Sequence, residues 1–262
     1  VSVYPWVATY AFRRYTAYPL GAFAEAVTNT VFGFVRAWVV LALWEARPAL
    51  GGYAAIDAVT FCFITQAMIG PVQIFGGLEL TERIRSGDVS IDLHRPVNLQ
   101  VWWLADDLGR AAGTLLLRGV PPMLAGALVF PLRLPDAAGW AAFAAAVTLA
   151  VVTGFALRYL VAMAMCWLHD DRGLQAVALV TSMFFSGMVL PLVVFPGALG
   201  TLARALPWAA LIQVPADVFL GKYSGAELLG AYGFQALWAV VLLGAGQAVT
   251  AAARRRLVIH GG

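Results

Sequence analysis

The chain has 262 residues, of which 61% are hydrophobic and 12% charged, and its mean hydropathy is +0.81. That composition excludes an ordinary soluble domain. The net charge of +3 and the pI near 9.1 carry no signal for nucleic acid, and in so apolar a chain the placement of charges is more informative than their sum.

Residues 1–21 do not read as a membrane span. Pro5 and Pro19 bracket Trp6, Tyr10, Tyr15, Tyr18 and the pair Arg13-Arg14. Aromatic rings beside cations suit the lipid headgroup region, so this stretch is expected to be an interfacial helix, with a plain juxtamembrane tail as the alternative. It lacks the charged-then-apolar layout of a signal peptide, and since it opens on Val1 the true N-terminus is expected to lie upstream.

Six spans are expected: 22–44, 54–78, 111–130, 140–167, 174–195 and 228–249. The first has 23 residues, enough to cross a hydrocarbon core of about 30 Å as a helix. Pro71 is expected to kink the second, and Pro121-Pro122 to break the third. The fifth carries no charge. Residues 196–227 are too apolar for a free loop and too broken for a span, with Pro207 and Pro215 inside them. They read as a re-entrant hairpin, the alternative being an amphipathic helix lying flat outside. The expected fold class is therefore all-α: one polytopic transmembrane domain over 1–262.

Between spans two and three lies the longest polar interruption, 80–110. Gly87 can break a helix there, Asp88 can cap a new short turn, and Pro96 can end it. A compact charged knob over 83–96 is the expectation. Arg13, Arg14, Arg83, Arg85, Arg95, Arg110, Arg172 and Arg254, Arg255, Arg256 fall on one side, against Arg47, Arg133, Arg204 and Lys222 on the other. The positive-inside rule puts the first side, with both termini, in the cytoplasm of a cell (inner) membrane.

Several chemistries are excluded. Lys222 is the only lysine, and Leu220-Gly221-Lys222-Tyr223 is not a Walker A loop, so the chain does not hydrolyse ATP by the P-loop route. There is no His-Glu-x-x-His or Cys-x-x-Cys, and Cys62 and Cys166 are expected as unbridged small hydrophobes. His169-Asp170-Asp171-Arg172 can be a metal site or, more simply, a polar loop capping two helices. Glu25, Arg36, Arg118 and Arg158 lie inside spans, where charge is costly. Glu25 is expected to pair with Arg118. The three arginines are candidates for a polar translocation path, and Arg36, with no partner in reach, is the leading one. Gly109-x-x-x-Gly113 permits close helix approach.

This layout resembles the permease subunits of ABC-2 type ABC transporters. Glu82-x-Ile84-Arg85-x-Gly87-Asp88-x-x-x-Asp92-Leu93-x-Arg95-Pro96 is similar to a segment of the branch that pairs two different permeases with one ATPase. Leu206-Pro207 through Pro215-x-Asp217 resembles that branch's outer hairpin, while His94 stands where the pattern has an apolar residue. The resemblance implies a coupling surface of Arg83, Arg85, Asp88, Asp92, His94 and Arg95. It implies a separate P-loop ATPase that holds ATP and Mg, so no cofactor is expected in this chain. A second permease, more readily a heterodimer than a homodimer, and membrane lipids complete the expected partners; nucleic acid is not among them. The expected function is export of a hydrophobic or amphipathic compound by alternating access, with import left open. The alternatives are an integral membrane enzyme acting on lipid, with His169, Asp170 and Asp171 as metal ligands, and an ion-coupled secondary transporter.

Overall fold

The structure is a computed structural model that describes residues 2–48, 50–168 and 172–260, with side chains described as far as 255. The described residues form helices and turns without a strand. Five helices are long and apolar enough to cross a membrane.

Helix α1 (Tyr4–Thr16) precedes α2 (Pro19–Ala46), the first long helix. Helix α3 (Ala55–Val72) is the centre of the bundle: 78% of it is buried, against 22% of α2. The sequence explains the contrast. α3 is apolar around its whole circumference, which is the pattern of a helix surrounded by others. α2 leaves Phe23, Val27, Val31, Val35 and Trp38 exposed along one side, the pattern of a lipid-facing wall. Pro71 lies in the last turn of α3, which ends at Val72 and not at 78; Gln73 takes a left-handed conformation (φ 51°), so the proline terminates this helix instead of kinking it.

Two short helices follow, α4 (Glu79–Ser86) and α5 (Val89–His94). Helix α6 (Leu99–Thr114) then runs through a π-turn (Leu115–Gly119) into α7 (Val120–Val129), together one 31-residue helix. The third span thus starts at Leu99 rather than 111, because Asn98 caps it by accepting from the Val101 amide at 3.1 Å. Pro121-Pro122 do not break it. The π-turn widens the ladder just where the prolines would clash with carbonyls one turn back.

Helix α8 (Ala137–Ala164) packs against α3, α6 and the final helix α12 (Ala226–His260). The fifth span differs most from expectation. Helix α9 (Arg172–Phe185) has 14 residues, about 21 Å, and does not continue to 195. Gly187 (φ 88°) turns the chain, and Pro191 and Pro196 withhold amide protons from any further helix. Buried backbone must find partners elsewhere. Arg36 donates to the carbonyls of Met188 and Val189, the Gln213 amide donates to Ser186 O at 2.9 Å, and Gln213 Oε1 accepts from the Leu192 amide at 2.6 Å. Arg36 therefore does have a partner in reach: it satisfies a broken helix.

The segment between α9 and α12 holds α10 (Gly197–Ala205), a tight turn (Pro207–Ala210) and α11 (Gln213–Phe219). α11 is buried along its whole length against α8 and α3. The bundle thus has an α4 end, carrying α1, α4 and α5, and an α11 end.

Candidate functional site

At the α4 end, α4 and α5 form a stapled pair. Gly87 (φ 85°) makes the turn between them, as its sequence position predicts. Asp88 does not cap it: its side chain makes no capping bond and is exposed. Asp92, buried at 5% exposure, accepts both arms of Arg83 (2.5 and 3.0 Å) and an arm of Arg95 (3.3 Å). The bond to Asp92 holds the Arg83 guanidinium above its ordinary pKa. Arg95 also lies over the Trp102 ring, 5.8 Å from its centroid. Val89 and Leu93 pack with Leu80, Leu99 and Trp103 beneath the pair.

That packing leaves a tip of Arg85, Asp88, Ile91 and His94 facing outward. Of the sequence-derived coupling residues, Arg83, Asp92 and Arg95 thus hold the knob together, while Arg85, Asp88 and His94 are presented by it. Ile91, 58% exposed on a polar knob, was not singled out by the sequence; the i,i+4 pair Val89 and Leu93, which on a helix leaves Ile91 on the opposite face, is the signal that could have found it.

Helix α1 locks this end. A Cβ on Gly109 would lie 2.0 Å from Ala8 O, so the Gly109-x-x-x-Gly113 face is where α1 beds into α6. Arg14 bridges Glu79 on α4 (3.3 Å) and Asp106 on α6 (3.2 Å). Partial burial would lower its pKa, and the two carboxylates outweigh that and raise it. One arginine therefore ties three helices. A cleft of about 360 Å³ opens between them, edged by Trp6, Tyr10, Arg14 and Arg95.

One layer deeper lies a cluster that the sequence did not reveal. Asp107, 2% exposed, bonds Arg110 Nε at 2.8 Å and both terminal nitrogens of Arg158, at 3.1 and 2.8 Å. Arg110 also donates to the carbonyls of Gly70 (2.8 Å) and Pro71 (2.7 Å), satisfying the end of α3. Reading 80–110 as one polar loop hid Asp107 and Arg110. Their i,i+3 spacing after the Pro96-Val97-Asn98 cap signal was the clue to a helix already under way. Arg158 borders a cavity of about 370 Å³ between the end of α3, α8 and α9. Arg118 pairs with Glu25 at 2.5 Å as its position predicts. Of the three arginines weighed for a translocation path, Arg158 lines this cavity.

The α11 end has its own network. Asp57 pairs with Lys222 (2.6 Å) and Arg133 (2.9 Å). Asp217 accepts from Tyr53, from Gln213 Nε2 at 3.0 Å and from Tyr223 at 3.2 Å. Burial raises the Asp217 carboxyl against these donors, and burial followed by the Asp217 charge raises the hydroxyls of Tyr53 and Tyr223 above the usual phenol range.

His169, Asp170 and Asp171 lie outside the described residues, and among the described residues no three His, Cys, Asp or Glu side chains converge as a metal site. A family model described as ABC-2 family transporter protein matches residues 12–261. Comparison with curated proteins gives no match.

Proposed function

The chain belongs to the ABC-2 transporter family, and from that membership we propose that it is the membrane-embedded subunit of an ATP-driven transporter, moved by a separate P-loop ATPase. The single observation that carries the coupling reading is the stapled pair α4 and α5. A small rigid element whose inner charges are paired and whose tip offers Arg85, Asp88, Ile91 and His94 suits a groove on a soluble partner. The α4 end then faces the cytoplasm. Arg110 leaves the loop charges once it is placed inside α6, and the basic bias of that side remains.

ATP and Mg reside in the partner. Closure of two ATPases moves two permeases as rigid bodies, and a path opens between them. In this reading α1 lies in the membrane interface and α10 and α11 form the re-entrant outer hairpin. The second permease is a different chain, and the cargo is a hydrophobic or amphipathic compound moved outward. Rigid-body motion needs stiff links from tip to core, and Arg14 supplies one from α4 to α1 and α6.

The test is co-purification in mild detergent. A stoichiometric ATPase should come down with the tagged chain, and Ile91→Asp with Arg85→Glu should release it while the permease stays monodisperse. Equal recovery of the ATPase with that double variant would remove the coupling assignment.

A further inference from the structure

We propose that the cavity beside Arg158 is a binding site for the anionic headgroup of an amphipathic compound, a phosphate or carboxylate on an apolar tail. Its polar lining consists of Arg158, Arg172, Gln73, Gln175, Thr81 and Ser182; every other lining residue is apolar or glycine, and among the described residues no carboxylate borders it. At about 370 Å³ it is the size of a small ligand site.

Charge points the same way. Asp107 alone faces both Arg110 and Arg158, and all three are nearly enclosed, at 2%, 5% and 12% exposure. The neighbouring carboxylate on α6, Asp106, turns away to Arg14, which also holds Glu79. The enclosed triad therefore keeps one positive charge in excess beside the cavity. The Nε of Arg158 is buried without a hydrogen-bond partner, although a guanidinium ordinarily uses its side edge as well as its end.

The site is also held in place at a cost. Gln73 is the only non-glycine residue with positive φ among the described residues, and such conformations concentrate where function demands them. Its Oε1 accepts from Arg158 at 2.9 Å, and its Nε2 donates to Gly77 O at 3.1 Å. A Cβ at Gly76 would sit 2.5 Å from that Nε2, so a side chain there would displace Gln73 from its place on Arg158. The same turn leads straight into α4. An occupant that draws on Arg158 therefore pulls on the link between cavity and knob.

Calling the occupant a cargo rests on the transporter reading; its binding does not. The test uses the full chain in dodecyl maltoside, with thermal unfolding as the readout. Dodecyl phosphate at a hundredfold excess over Kd should raise Tm by about 5 °C. Dodecanol and inorganic phosphate should not. Ala176→Trp, which fills the cavity and leaves the charged triad in place, should abolish the rise. Arg158→Lys, which keeps the charge and loses the fork, should weaken binding about tenfold. Phosphatidic acid in mixed micelles separates the sources: a rise with it as well as with dodecyl phosphate assigns a membrane lipid, a rise with dodecyl phosphate alone a soluble amphiphile, and no rise with dodecyl phosphate would overturn the site. Equal shifts with dodecanol or inorganic phosphate, or a full shift in Ala176→Trp, would overturn the site. Whether an ATPase co-purifies is scored on the same preparation, so the two readings fail separately.

Discussion

At the α4 end Asp107 sits between Arg110 and Arg158; at the α11 end Asp57 sits between Lys222 and Arg133. The arrangement is alike, and the surroundings differ. Both arginines of the first cluster are enclosed within helical walls, whereas Lys222 is 25% and Arg133 47% exposed and both lie outside the long helices. The first cluster joins α3, α6 and α8 and borders a cavity. The second ties two loops to the first turn of α3, and next to it neutral donors from Tyr53, Gln213 and Tyr223 close around Asp217. Burying a carboxylate between two cations is thus no single device. Where the cations are wet it fastens connections, and where they are dry it stores an unbalanced charge that a ligand can meet.

The sharpest way to break the comparison is to delete each carboxylate. Asp107→Ala leaves two enclosed guanidiniums without a counter-charge and should cost about 3–5 kcal/mol, read as loss of monodisperse protein on extraction. Asp57→Ala frees cations that water can reach and should cost about 1–2 kcal/mol. Equal losses would mean that the two ends do not differ as described. Gln213→Ala comes next. It removes acceptors and donors from Leu192, Tyr53 and Asp217 together, and should cost about 2–3 kcal/mol in chemical unfolding.

The smallest effect concerns pH. Tyr53 and Tyr223 are raised, so folding keeps their protons longer than unfolding does. Their contribution is whole below about pH 10, the ordinary phenol value, and falls as pH rises through the folded values. Tyr53→Phe should lower stability at neutral pH by about 1 kcal/mol and flatten the decline of Tm above about pH 10. An unchanged alkaline slope would remove the phenols from the account.

Much of this fold could be read in advance from apolarity, because a membrane helix must be long and continuous to satisfy its backbone. Pairing of Glu25 with Arg118 followed from their depths, and the break at Gly87 followed from its residue type. What hid was polar content inside helices. Asp106, Asp107 and Arg110 look like loop until α1, α3 and α8 supply their partners, and those partners, two of them backbone carbonyls, lie from 39 to 92 positions away in sequence. The end of α9 hid for the opposite reason. Ser186 and Gly187 interrupt nothing in a hydropathy profile, and only Arg36 and Gln213, both distant, make the break tolerable.

The π-turn at Leu115–Gly119 has a geometric meaning of its own. One added residue in a helical turn advances the azimuth of everything after it by about 100°. Before the turn, α6 directs Asp107 and Arg110 toward α3 and α8; within it, Arg118 reaches Glu25 on α2. A single continuous rod thereby addresses two different sets of neighbours. Its two halves are out of phase by design of one residue, and excising that residue would rotate the Pro-containing half away from α2 without shortening the rod by more than about 1.5 Å.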